Sequence, residues 1–167
     1  MKKSTLLLSL LLLFLSACAA EKEVYVAKEY GSGSRVAVWD LEDLSVAGPT
    51  SLSDMKEFLT ARIVETLQEK GGYEVLERQK LILALEELNL GSSELASAGS
   101  RLQVGKIMGA QVMVFGGYQL VGEQLRVDLR MVEVETGAII RAAEQTAAAA
   151  DLSGWLKVAE QAALQLL

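Results

Sequence analysis

The stretch Gln111-Val112-Met113-Val114-Phe115-Gly116-Gly117-Tyr118-Gln119-Leu120-Val121-Gly122-Glu123-Gln124-Leu125-Arg126-Val127-Asp128-Leu129-Arg130-Met131-Val132-Glu133-Val134 holds two runs of strand-forming residues about Gly122-Glu123. In the second run Leu125, Val127, Leu129 and Met131 alternate with Arg126, Asp128 and Arg130, the period of a strand with one buried and one wet face. Two such runs separated by two turn residues predict an antiparallel hairpin, Gln111 to Val121 against Gln124 to Val134. The alternation changes phase at Met131-Val132, which predicts a bulge there. Glu135-Thr136-Gly137 is a second turn, with Gly137 supplying its positive φ, and Ala138 to Thr146 is a third strand.

Upstream, Arg35 to Leu41 reads as a first strand, and Glu42 to Ser51, with the only proline, Pro49, as a loop. A helix over Ser53 to Glu69 follows from the stripe Leu52, Met55, Leu59, Ile63 and Leu67, widened by Phe58 and Val64. Asp54 and Glu57 resemble a capping pair, and Gly71-Gly72 stops the helix. Tyr73 to Leu76 is a short strand, Arg78 to Leu88 a second helix, Gly91 to Ser100 a loop, and Leu102 to Met108 a short helix closed by Gly109. Downstream, Asp151 or Ser153 caps a last helix whose inner stripe is Leu152, Trp155, Leu156, Ala159, Ala163 and Leu166. The order β-α-β-α-α-β-β-β-α predicts an α/β (α+β) domain. Its mixed sheet begins with a crossover pair and ends in a meander.

The 167 residues carry a formal net charge of −6, one cysteine and no histidine. Without histidine the commonest neutral-pH general base and metal ligand are missing, and one cysteine makes neither an internal disulfide nor a thiolate zinc cage. The acidic balance makes duplex nucleic acid a poor partner, since phosphate binding is driven by clustered Lys and Arg. Composition thus points toward a binding or structural role.

Met1-Lys2-Lys3 followed by the apolar run Leu6 to Leu15 is a secretory signal, too short to cross a bilayer. Leu15-Ser16-Ala17-Cys18 matches the site at which bacterial lipoprotein precursors are cleaved, so residues 1–17 are a signal peptide and Cys18 becomes the acylated N-terminus. Ala19 rather than Asp follows Cys18, which in the enterobacterial sorting rule directs a lipoprotein to the outer membrane, here its periplasmic face. Removing residues 1–17 takes away Lys2 and Lys3 and leaves 14 basic against 22 acidic residues, net −8. Residues 18–34, with Gly31-Ser32-Gly33-Ser34, suit a flexible tether, although Val24-Tyr25-Val26 also has the pattern of a short edge strand. The domain then occupies residues 35–167.

Three strings in this order resemble the CsgG family, the periplasmic domain of curli secretion channels, which shares a fold with the amino-terminal domain of TolB. They are Tyr73-Glu74-Val75-Leu76-Glu77-Arg78, the run Gly105-Lys106-Ile107-Met108-Gly109-Ala110-Gln111-Val112-Met113-Val114-Phe115-Gly116, and Val127 to Gly137. The resemblance implies a lipoprotein that works by protein contact in cell-envelope assembly or secretion. The channels donate two long hairpins each to a transmembrane barrel. Here the corresponding connections are only Gly122-Glu123 and Ala147 to Ala150, whereas a bilayer-crossing strand needs about 9 to 11 residues. The resemblance therefore implies no pore formed by this chain. It leaves an interaction module with an envelope protein partner, a ring or accessory subunit of a curli-type apparatus, which would be a homo-oligomer, or an LpoB-like activator of a peptidoglycan synthase.

No catalytic or metal site is assigned, no cofactor is expected, and the chain is read as a non-enzyme. The best acidic cluster, Asp40-Leu41-Glu42-Asp43, follows a strand's carboxyl end, where α/β folds place ligands and where hard cations find oxygen donors, but no second motif accompanies it. Ser32, Ser34 and Ser53 lack a histidine partner, and Gly31-Ser32-Gly33 lacks the Lys and helix of a phosphate loop. Trp39 and Trp155 read as core. Glu77-Arg78 reads as a pair or cap, and Ala142 to Ala150 as an edge strand running into a turn.

Overall fold

The structure is a computed structural model that describes residues 28–45, 55–77, 80, 83, 97–148 and 151–167. In chain order the elements are β1 (Arg35–Val38), β2 (Glu42–Asp43), α1 (Met55–Glu69), β3 (Glu74–Val75), α2 (Ala98–Ile107), β4 (Val112–Val121), β5 (Gln124–Glu133), β6 (Ile139–Ala148) and α3 (Leu152–Leu164). The six strands form one mixed sheet in the order β3-β1-β4-β5-β6, with β2 pairing β4 beside that path. β1 runs parallel to both β3 and β4, and β4, β5 and β6 are antiparallel. The predicted α/β class and meander are therefore the observed ones.

The hairpin has the predicted register, Val121 opposite Gln124 across the two-residue turn. The bulge lies where the alternation breaks. Met131 pairs Arg141 and Val132 pairs Ile139, one residue out of step. Gly109 and Gly137 have φ of 73° and 75°, the left-handed conformation that their turns require.

Several boundaries differ from the sequence reading. The first strand ends at Val38 rather than Leu41, and the expected loop holds β2, because Glu42 and Asp43 pair with Gly117 and Tyr118. The Gly91 to Ser100 stretch is not loop throughout. Ser97 caps α2 by accepting from the Ser100 amide at 3.1 Å, so the helix starts at Ala98. β6 continues to Ala148, two residues past its expected end. Of the second expected helix, Lys80 and Leu83 are helical and the rest lies outside the described residues, as do Leu52, Ser53 and Asp54.

Helices α1 and α3 pack on one sheet face. There Met55, Leu59, Ile63 and Leu67 of α1 and Val158, Ala159, Ala162 and Ala163 of α3 meet Val36, Val112, Val114, Leu125, Val127, Leu129 and Met131. Two polar residues share that side of α1, each with a hydrogen-bond partner. Thr60 accepts from the Leu41 amide at 3.2 Å, and Thr66 donates to the Arg62 carbonyl at 2.8 Å. Phe58, expected to widen the stripe, is instead 52% exposed. The α3 stripe is rotated from the expected one, leaving Leu152 43% exposed while Val158 and Ala162 go inside. Ala159, Ala163 and Leu166 of the expected stripe are buried, and the alanines let α3 sit close over the sheet. Met113, Ala37 and Val134 face the other way and form a smaller cluster with Leu102 of α2.

Gly116 of β4 has no room for a side chain against β5. A methyl group there would overlap the Asp128 carbonyl oxygen and stand 2.6 Å from a Leu129 methyl. Gly116→Ala is accordingly expected to cost about 2 kcal/mol, because a backbone atom cannot step aside. By contrast, Gly105→Ala meets the flexible thioether of Met113 and should cost less than half as much. Chemical denaturation of both variants checks the ranking, which equal losses would contradict.

Candidate functional site

The second face of the meander carries the polar half of the alternation. Phe115, Arg130 and Ala142 lie in one cross-strand row, Gly117, Asp128 and Glu144 in the next, and Gln119, Arg126 and Thr146 in a third. Arg126 grips Asp128 through two bonds of 2.8 Å and reaches Glu144 at 3.0 Å. The hydrogen bond from Arg126 holds the Asp128 carboxyl below the usual carboxylate range, against the opposing effect of burial.

Beside these rows α2 delivers Arg101, whose guanidinium lies 5.5 Å from the Trp39 ring centre and 5.9 Å from that of Phe115. The two rings are themselves 6.4 Å apart and tilted by 39°. Glu42 of β2 closes the arrangement with a 2.6 Å ion pair to Arg101. Cation-π contacts of this kind contribute about 0.5 to 2 kcal/mol depending on desolvation. A shallow recess of about 250 Å³ lies between Glu42, Leu44 and Arg101 on one side and Phe115, Asp128 and Arg130 on the other. It holds both signs of charge, and arginines beside aromatic rings are the residue types that dominate protein interfaces. Chemically it is a contact surface sized for one inserted side chain.

The acidic cluster does not come together as one donor set. Asp40 borders a groove beside α1, Glu42 pairs with Arg101, and Asp43 accepts from the Ser45 amide at 2.9 Å. Asp43 also binds the Tyr118 phenol. Burial first, then the Asp43 charge and that hydrogen bond, push Tyr118 up to about 12. The folded state thus holds the phenolic proton more tightly than the unfolded chain does. This contribution is complete below pH 10 and is lost as pH rises toward 12. An ultraviolet titration should show a late component that Tyr118→Phe removes; identical titration curves for the two proteins would contradict the assignment.

Among the described residues no group of three His, Cys, Asp or Glu side chains is placed to hold a metal ion, and no helix is long and apolar enough to cross a membrane. Ser32 and Ser34 serve the turn that leads into β1: Ser34 accepts from the Gly31 amide at 3.2 Å, and Ser32 reaches the Gly72 carbonyl at 3.5 Å. Trp155 packs against the main core, whereas Trp39 packs on the smaller core cluster and against the Arg101 guanidinium that lines the recess. Glu77 is exposed, and Arg78, Cys18, Ala149 and Ala150 lie outside the described residues.

Sequence reasoning missed a buried polar network. Tyr30, inside the stretch read as tether, is only 6% exposed. Its hydroxyl donates to Glu133 at 2.5 Å, and Glu133, 3% exposed, also accepts from Thr136. The Tyr30 carbonyl accepts from Tyr73 at 3.1 Å and from Arg141 at 3.4 Å. The folded unit therefore includes Tyr30, and a tether reaching Ser34 is too long. The one available signal was an aromatic residue in an otherwise polar segment.

The fold and this polar, arginine-bearing face define a mixed-sheet, contact-making domain. The chain belongs to the CsgG family, whose model, curli production assembly/transport component CsgG, matches residues 19–119. No curated protein matches the sequence. Among solved structures, the LpoB C-terminal domain from Salmonella enterica has a TM-score of 0.61 at 17% identity, covering 72% of this chain and 87% of its own. Lipoprotein GNA1162 from Neisseria meningitidis gives 0.59 at 13% identity, covering 80% of this chain and 95% of its own. A PelC dodecamer from Paraburkholderia phytofirmans gives 0.54 at 15%, covering 85% of this chain and 92% of its own. At these identities the likeness is one of fold.

Proposed function

We propose that the mature chain is a lipid-anchored interaction module on the periplasmic face of the outer membrane. It is held through Cys18 and acts by protein contact in envelope assembly or secretion, without catalysis and without lining a pore itself. The observation that carries this reading is family membership combined with the connections between strands. β4 passes to β5 through Gly122-Glu123 alone, and β6 at Ala148 is followed by α3 at Leu152. Neither connection has room for strands of about 9 to 11 residues that would cross a bilayer. The lipoprotein fold neighbour and the leader ending at Cys18 support the anchor.

Tyr30 sets the reach. It lies twelve positions after Cys18, a stretch that at full extension spans about 40 Å. The partner on this reading stands close to the membrane that holds the anchor. A second reading, a ring or accessory subunit of a secretion apparatus, is favoured by the dodecameric assembly of the PelC neighbour. Chemical crosslinking in intact envelopes, followed by gradient separation of the two membranes, tests both. The interaction module gives adducts with other envelope proteins in the outer-membrane fraction. The ring subunit gives a ladder of self-adducts. A protein recovered uncrosslinked from the soluble fraction overturns both.

A further inference from the structure

On the opposite side of the sheet edge from the recess, α1 overhangs β1 and β3 to form a groove of about 410 Å³. Val38, Val64, Val75 and Leu76, all half-buried, supply its aliphatic surface. Carboxylates of Asp40, Glu57, Glu65 and Glu77 border it, and among the described residues its lining includes no lysine or arginine. The groove exists because β3 is a two-residue edge strand. It is too short to fill the space beneath a helix of 15 residues. Part of the negative field is already answered, since Glu65 pairs with Arg62 at 3.0 Å and Asp40 and Glu57 have partners of their own. Glu65 and Glu77 nevertheless face solvent on opposite banks, one on α1 and one after β3.

Resting on the interaction-module reading above, we propose that this groove docks an extended segment of another envelope protein that combines aliphatic side chains with lysine or arginine. The aliphatic side chains would sit against Val64 and Val75, and the cations would lie between Glu65 and Glu77. Charge complementarity selects this occupant over the alternatives. An anionic lipid surface is repelled by the rim, and so is a second copy of a chain whose mature charge is −8. Burying apolar surface supplies the attraction, while the charged rim sets register and excludes acidic competitors.

The test uses the full acylated chain in its native envelope, with a photocrosslinker introduced as Gln68→p-benzoylphenylalanine in the groove and, separately, Ala142→p-benzoylphenylalanine on the distant polar face. Both positions are exposed. The expected result is an adduct from position 68 whose crosslinked peptide carries aliphatic and basic residues. Its yield should fall at least tenfold in Glu65→Lys/Glu77→Lys and several-fold in Glu65→Gln/Glu77→Gln, with thermal unfolding retained in both. The groove proposal fails if the adduct survives charge reversal, if the captured peptide is acidic or belongs to a second copy, or if adducts arise from position 142 alone. In that last case the interaction-module reading stands. Adducts from neither position overturn both.

Discussion

Cys18→Ser is expected to move the mature protein from the membrane pellet to the soluble periplasmic fraction essentially completely. On the proposed anchoring, the thiol is the nucleophile that accepts the diacylglycerol group, and a serine hydroxyl does not substitute for it in that thioether. Each methylene buried in the bilayer contributes about 0.8 kcal/mol, and one acyl chain alone gives marginal, reversible binding with a constant of about 10⁴ M⁻¹. Three chains hold firmly and none holds at all, so the transition should be close to all-or-none. Folding should not change, because Cys18 precedes the buried Tyr30 by twelve residues. Immunoblots of fractionated cells read the result. A serine variant that still pellets, or a wild-type protein that is soluble, would remove the anchor from the proposal.

Arg141→Ala should be the most destabilising single truncation of a half-buried polar residue, at about 3 kcal/mol, or a fall in Tm of roughly 10 °C. One nitrogen of its guanidinium donates to the Leu166 carbonyl at 2.6 Å, the Leu167 carbonyl at 2.9 Å and the Tyr73 hydroxyl at 3.3 Å. The other nitrogen reaches the Tyr30 carbonyl at 3.4 Å. One side chain thus ties β6 to the end of α3, to the segment before β3 and to the chain's entry into the domain. Hydrogen bonds from a charged donor contribute about 1.5 to 3 kcal/mol each, but bonds that share one nitrogen at 3.3 Å or more contribute far less. Arg141→Lys should recover about 1 kcal/mol, since an ammonium cannot span all four acceptors. Arg141→Met separates the aliphatic stem's packing from the hydrogen bonds. Thermal unfolding of the three variants decides; a loss below about 0.5 kcal/mol in the alanine variant would show the network to be dispensable.

The parts of the fold legible in the sequence were those governed by local periodicity. Alternation over Leu125 to Met131 located β5, its phase change located the bulge, and Gly122-Glu123 located the turn. Of the expected α3 stripe, Ala159, Ala163 and Leu166 are buried, while Leu152 is exposed and Val158 and Ala162 go inside, because close approach to the sheet rather than the size of Leu152 sets the helix's rotation. The Tyr30–Glu133 bond joins residues 103 apart in sequence, and no local pattern announces such a pair. The same holds for the candidate recess. Asp40, Glu42 and Asp43 stood out as a cluster in the chain, yet the structure separates Asp40 from Glu42 and gives Glu42 to Arg101. Arg101 itself, on a short helix that it shares with Lys106, had nothing periodic to mark it.

The position of β1 has a mechanical consequence. If the chain is anchored at Cys18 as proposed, any pull passes through Tyr30 and the 28–34 segment into β1 at Arg35, and β1 lies between two parallel neighbours, β3 and β4. A load entering along the strand axis shears the rungs on both sides together, Leu76 to Val36 at 2.9 Å on the β3 side and Trp39 to Val114 at 2.9 Å on the β4 side, rather than peeling them one after another. Forced unfolding is governed by the height of its barrier, and shared loading raises that barrier. The strand nearest the leash is thus the one best placed to resist it, and the domain can transmit tension between a membrane and a bound partner without coming apart.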